Sequence, residues 1–545
     1  MSSEPILRAA VKLIRRTPPA LLLVASSLLA QQAPPPPPLY NDLGTHHKAV
    51  GTKVPAAQQY FDQGLRLVYG FNHAEAIRSF TRATELDPAC AMCWWGIAYA
   101  YGPHVNAGMD SASGVKAYEA AQKAVALSAK ASPSEQAYIR AVAARYARVP
   151  PSNRASLDSA YAHAMADVAR RYPDDLDAAS LYAESLMDLR PWNYWTPEGK
   201  PYPGTEEIVR QLERVIARNP EHPAACHYYI HAVEAVNPQL AVPCAERLAR
   251  LMPGEGHMVH MPAHIYIRVG RYNDAANSNV HAIHTDEMFI EGQKPTSVYS
   301  LAYYPHNIHF LAFASTMAGR SAQAIEAART LKSKVNLDVA RQVAMLQEMM
   351  PYYVLTLTTF GRWDDVLAEP LPPSDIRMPL AMAYYARGVA YAAKGQAAEA
   401  RTALDTVKAI DAATPADAPS KTAVSIAVHA LMGEIATRSG KLDEGIAHFR
   451  EALKIEDAGL YFEPPKWYYP IRQSLGAALL KAGQNAEAEA VYREDLKRFP
   501  ENGWSLFGLA AALRAEGKSA DAAAVDQRFA KAWSAADVKL VASRF

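Results

Sequence analysis

The chain is 545 residues long, half of them hydrophobic, and carries a formal net charge of +1 from 56 basic and 55 acidic side chains. Lys and Arg are spread throughout, and so even a balance argues against nucleic acid or an anionic membrane surface as the main partner. The length is ample for an extensive core and would mean several domains unless the chain is a repeat array.

Residues 1–30 read as an export signal. Basic positions Arg8, Lys12, Arg15 and Arg16 precede an apolar run from Ala20 to Ala30, too short to span a membrane comfortably. No stable membrane span is expected once the signal is removed, which places the mature chain in the periplasm or outside the cell. Arg15-Arg16 fits a twin-arginine signal poorly, because TPPALLL follows it. Residues 31–55, with five consecutive prolines from Pro34 to Pro38, read as a stiff spacer. Cys90 and Cys93 form C-A-M-C with no second pair, which reads as a local disulfide or two packed thiols rather than a metal site; Cys226 and Cys244 stand apart.

From Gln58 the pattern turns helical and repeats. Gly64, Ala76, Phe80, Ala83 and Pro88 fall at the spacing of a tetratricopeptide repeat (TPR), and Trp94, Ile97, Ala98 and Tyr101 continue the next unit in register. A glycine followed five positions later by a small residue recurs at Gly270, Gly319, Gly361, Gly395, Gly440, Gly483 and Gly517. Spacings of 34 separate Gly361 from Gly395 and Gly483 from Gly517, while gaps of 49, 42 and 43 elsewhere imply inserted loops. Over roughly residues 56–535 the chain resembles the TPR superfamily. The resemblance implies a right-handed superhelix of antiparallel helix pairs whose first helices line a concave groove. No segment alternates long enough to suggest a sheet, so the fold class is all-α, an α-solenoid with inserted loops. The units divide into an N-terminal group (56–150), a histidine-rich group (151–330) and a C-terminal group (331–545).

Ten of the 17 histidines lie between His222 and His309. The register set by Gly270 puts His257, His260 and His264 at groove-facing positions of one first helix. An apolar fit to Cys226, Tyr229, Ile230 and Val233 puts His227, His231 and Glu234 on the groove in the unit before; Gly319 does the same for His306 and His309 in the unit after. Neighbouring helices pack about 8–10 Å apart, so imidazoles from adjacent first helices can share an ion. Imidazole suits copper, iron, zinc and nickel alike. Met258 and Met261 would soften the site toward copper, and Glu234 offers a carboxylate as ligand or as general base beside a metal-bound water. Pro262 marks a helix start that would leave His257 and His260 on its approach loop. His73, His104, His222, His281 and His284 read as structural or surface residues.

Two insertions flank these units. Arg190–Gly204 brings Trp192, Tyr194 and Trp195, either as a lid or substrate contact or as a plug for an irregular repeat; Thr285–Tyr304 brings Asp286, Glu287, Glu291, Tyr299, Tyr303 and Tyr304. Phosphate loops, nucleophile elbows and HExxH sequences are absent, which lowers the case for nucleotide enzymes, α/β hydrolases and common zinc peptidases. FNHAEAIRSF, LDPACAMCWWG, HMPAHIYIRVGRY and YPHNIHF resemble a group of exported bacterial TPR proteins, a resemblance that implies a fold and no reaction. The expectation is an exported metalloprotein, a copper- or iron-dependent oxidoreductase with zinc as a further option, acting on a small molecule or peptide in the groove. The alternatives are a metal-free scaffold for a peptide or protein partner, and a metal storage or delivery protein.

Overall fold

The repeat glycines close helices. Gly270, Gly319, Gly361, Gly395, Gly440, Gly483 and Gly517 all adopt φ between 65° and 80°. In that left-handed conformation the next residue's N–H reaches a carbonyl five residues back, as in Arg271 to Tyr266 (2.8 Å) and Lys518 to Leu513 (2.9 Å). Carbonyls left over at the helix end are thereby satisfied and the chain turns into the second helix. The computed structural model describes residues 36–293, 299–341 and 344–545; the export signal expected over residues 1–30 lies outside them.

Antiparallel helix pairs follow one another from Pro55–Tyr69 with His73–Leu86 to Gly503–Ala515 with Ser519–Ala532, and the described residues contain no strand. The fold is the all-α, TPR-like solenoid that the spacing predicts. Its close packing depends on glycines facing aromatic rings. A Cβ on Gly64 or Gly96 would come within 2.7 or 2.4 Å of the Phe80 ring between them, and Tyr492 stands in the same way between Gly476 and Gly508. No described helix is long and apolar enough to cross a membrane.

Residues 37–54 are not a spacer. Tyr40 donates from its N–H to Gln63 Oε1 and from its hydroxyl to Glu75 Oε1 (both 2.8 Å), Lys48 pairs with Asp175 (2.8 Å), and Leu43 is buried. Polar groups on the first helices offer this segment partners, so it crosses them as a strap. Cys90 and Cys93 are disulfide-bonded, while Cys226 and Cys244 are buried free thiols.

The solenoid curls back on itself. Trp504 Nε1 donates to Thr316 O (3.0 Å), Arg268 Nη1 to Arg498 O (3.2 Å), and Asp537 accepts from the N–H groups of Ser321 and Ala322. The last units therefore lie against the middle ones. This carries residues 458–470, the loop between Leu442–Asp457 and Ile471–Lys481, to the histidine-rich helices.

Candidate metal centre

Three successive first helices supply the site: Pro223–Val233, a helix broken in two as Gly256–His260 and Pro262–Arg268, and Tyr304–Met317. Pro262 has no N–H to donate, so it opens the second piece. The residues before it form a helix of their own, not the loop expected for His257 and His260. Pro223–Val233 is buried all round, one face in the repeat core and the other among histidines. Burial alone would not distinguish those faces, but hydrogen bonds do.

Six histidines converge in two triads, His227/His231/His257 and His260/His264/His306, each with ligand atoms within 4.8 Å of one another. The triads adjoin, with ring centroids 5.6 Å apart for His231 and His264 and 6.0 Å for His257 and His260. Four of the imidazoles are anchored through Nδ1. His227 Nδ1 donates to Tyr69 O (2.6 Å), His231 Nδ1 to Glu234 Oε1 (3.0 Å), and His260 Nδ1 to Asn279 Oδ1 (2.7 Å). His264 Nδ1 donates to Glu234 Oε2 (2.7 Å), with Glu463 Oε2 at 3.1 Å. In a neutral imidazole a proton held at Nδ1 leaves a lone pair on Nε2, the ligand form. The Nε2 atoms face inward: His227 Nε2 is 3.2 Å from Nε2 of His257, whose own Nδ1 has no hydrogen-bond partner, and His260 Nε2 is 2.8 Å from His264 Nε2.

Imidazole nitrogens so close need a shared cation or proton between them. Metal–imidazole bonds of about 2.0–2.1 Å place neighbouring nitrogens about 3 Å apart, so the donor set fits a transition metal. Burial, with neighbouring imidazoles adding to it, holds His227, His231, His257, His260 and His306 well below the usual histidine range, neutral and ready to bind. His264 differs. Burial opposes its charged form, but Glu234 and then Glu463 outweigh it and raise the imidazole to about 10. Without metal, its Nε2 proton fills the gap toward His260.

Glu234 reaches the site, but as a support. Both oxygens are engaged by imidazole Nδ1 atoms of opposite triads, which leaves no free carboxylate for the expected general base. His309 does not join. Three residues after His306 it points elsewhere on the helix, its ring 4.2 Å from Tyr352 and its pKa lowered by burial to about 3. His281 and His284 are exposed, as expected. His73 and His104 are structural and connect to the site through Phe71, which stacks on His104 (4.5 Å), and His104 meets His73 (4.4 Å).

Sequence reasoning missed Glu463, Asn279, the Tyr69 carbonyl and Phe71. The 43-residue gap between Gly440 and Gly483 did mark an insertion, and Glu463 lies in it. His222, also buried, belongs to a separate group with His46 and Asp177. There Nδ1 of His222 accepts from the Ala225 N–H, so its proton is on Nε2 and faces Asp177 at 3.3 Å. Tyr69 also donates to Asp177 (2.6 Å) and Lys48 stands 3.6 Å away, so this group is a closed ion-pair network and not a ligand set.

A second network fixes the start of the broken helix. Tyr299 donates to Asp286 Oδ1 (2.6 Å) and accepts from the Gly256 N–H (3.0 Å), while Asn307 donates to Asp286 Oδ2 (2.7 Å). Burial raises Asp286 to about 7 against the hydrogen bonds from Tyr299 and Asn307, and Glu287 adds to the rise. Glu255, raised by burial, also faces it. The folded state thus keeps a proton that the unfolded chain releases near pH 4, so stability falls as pH rises from about 4 through 7. Asp286→Asn is expected to lessen that slope by up to about 1.4 kcal/mol per pH unit. Urea midpoints at pH 5 and 8 measure it; curves parallel to wild type would rule out this titration.

No family model matches the sequence, and no curated protein matches it. Among solved structures the chain is similar to the human IFIT1 dimer with m7Gppp-AAAA, at 11% identity and a TM-score of 0.31, covering 88% of this chain and 91% of that one. It is also similar to Naa15/Naa10 bound to HypK-THB, at 11% identity and a TM-score of 0.22, covering 88% and 71%. Likeness this remote carries no argument about what the chain binds.

Proposed function

We propose that this chain is an exported metalloprotein whose six converging histidines hold a two-ion transition-metal centre, copper or iron, serving oxidation–reduction chemistry. The observation that carries the reading is the set of Nδ1 anchors on His227, His231, His260 and His264, with Nε2 atoms of neighbouring rings turned toward one another at 2.8 and 3.2 Å. His227, His231 and His257 would hold one ion, and His260, His264 and His306 the other. When bound, the centre would supply one-electron steps at two adjacent positions. The protein's own part is to fix the imidazoles, through Tyr69 O, Glu234, Asn279 and Glu463, and to exclude water. Glu234 acts as a positioning residue that couples the triads. An all-imidazole donor set favours copper, iron or zinc over magnesium or calcium.

A peptide scaffold would present its histidines on an open groove. Five of these six are at most 3% exposed, which favours a resident ion over a docked partner. The test is elemental analysis of untagged protein from the exported fraction beside His260→Ala/His264→Ala. Up to two equivalents of metal, reduced in the variant with helical content retained, is the expected result. Protein that stays empty after reconstitution with copper, iron and zinc would leave the scaffold.

A further inference from the structure

The two triads have different surroundings. His260 and His264 are bordered by Asn279, Glu234, Glu463 and the Phe310 ring, whose centroid lies 4.7 Å from both. Polar anchors and carboxylates support that side, where His306 is partly exposed; Glu234 also anchors His231 of the other, fully buried triad. Aromatic rings border the other triad: Phe71 4.5 Å from His227, Tyr303 4.5 Å from His257, and Trp192 4.9 Å from His231. His231 Nε2 is buried with no hydrogen-bond partner, whereas Trp192 is only partly buried. The indole meets the His231 ring nearly at right angles, at an interplanar angle of 74°.

Trp192 is held there against its backbone preference. Among the described residues other than glycine, only Phe71, Trp192 and Glu501 have positive φ, and Phe71 (58°) and Trp192 (64°) both put their rings on this triad. A bulky residue in that region costs on the order of 1 kcal/mol or more. The loop after Trp192 is tied down, since Trp195 Nε1 donates to Ala232 O (2.7 Å) and Thr205 Oγ1 to Tyr194 O (2.6 Å), and the Asn193 N–H reaches back across it to Arg190 O (3.1 Å). Trp192 can therefore turn aside while its loop stays in place.

We infer that the His227/His231/His257 triad is the face where the centre meets its substrate, that Trp192 is the residue that selects it, and that the substrate is an uncharged planar aromatic molecule. This rests on the metal-centre reading. A ring that takes the place of the indole against His231 joins a triad already bordered by the rings of Phe71, Tyr228 and Tyr303. A charged molecule would lose its hydration there with no charged side chain among Phe71, Tyr228 and Tyr303 to replace it, leaving only the ions themselves to offset the loss.

The test uses full-length mature protein loaded with Cu(II), with wild type, Trp192→Ala and Trp192→Phe compared. Copper loss is followed optically in excess 2,2′-bipyridine, a neutral planar aromatic chelator, or excess EDTA, a flexible anion. Wild type is expected to release copper to bipyridine about tenfold faster than to EDTA, a difference of about 1.4 kcal/mol in barrier. Trp192→Ala should raise the EDTA rate by about the same factor with little change for bipyridine, and Trp192→Phe should resemble wild type. Equal rates for both chelators in wild type would mean that release follows opening of whole repeats, and would overturn the inference even if Trp192→Ala failed to fold. An unchanged EDTA rate in folded Trp192→Ala would overturn it too. Protein that takes up no copper, iron or zinc would defeat the metal reading itself, before any chelator is added.

Discussion

Phe71→Gly is expected to be more stable than Phe71→Ala, reversing the usual order of those two residues. Phe71 occupies the helix-closing position that glycine takes in seven other units, with the same backbone path: its φ is 58°, and Asn72 N–H reaches Leu67 O at 2.9 Å. Elsewhere in a helix or strand, Gly is worse than Ala by about 0.5–1 kcal/mol. At positive φ the β-carbon carries the penalty, so Gly should be ahead by about 1 kcal/mol. Both variants lose the ring, which is 3% exposed and touches His104, His227, Tyr228, His231 and His257. Removing a buried Phe costs about 3–5 kcal/mol, so Phe71→Ala should fall by that amount and Phe71→Gly by somewhat less. Urea unfolding of the metal-free variants measures both. Alanine equal to or above glycine would mean that the left-handed turn is not strained, and a loss under about 1 kcal/mol would mean that the ring is not packed as described.

Glu234→Gln should weaken metal binding at both triads. One carboxylate accepts from His231 Nδ1 and from His264 Nδ1, so it fixes the tautomer of a ligand in each triad. The amide that replaces it has a single acceptor oxygen, and its NH2 group faces a nitrogen that also carries a proton. Loss of such a support costs about 10–100-fold in metal affinity. Glu463→Gln serves as the comparison, because among the six histidines Glu463 meets only His264, at 3.1 Å, and should affect one ion and spare the other. Competition with a coloured chelator resolves the two equivalents. Loss confined to one equivalent in Glu234→Gln would break the proposed coupling, and unchanged affinity for both would remove Glu234 from the site.

The helical repeat was legible because it is local. A glycine that closes each first helix and a small residue five positions later set the register within one helix pair, and stacking identical pairs needs no further information. The same register placed His227, His231, His257, His260, His264, His306 and Glu234 on facing sides of neighbouring first helices, and they do meet. It misplaced His309, since a groove-facing label covers a broad arc, and three residues along a helix is far enough for that ring to meet Tyr352 instead.

What sequence by itself determined, then, is the all-α repeat and most of its histidine set, because helix periodicity and hydrogen-bonded turns act over a few residues. Tertiary structure alone decided which nitrogen of His227, His260 and His264 is anchored. That depends on Tyr69 O from the first unit, Asn279 from a second helix, and Glu463, which lies 199 residues beyond His264 and arrives only because the solenoid curls back. Tautomers are set by whichever acceptor lies within hydrogen-bond reach, and over such separations only the folded chain brings the acceptor there.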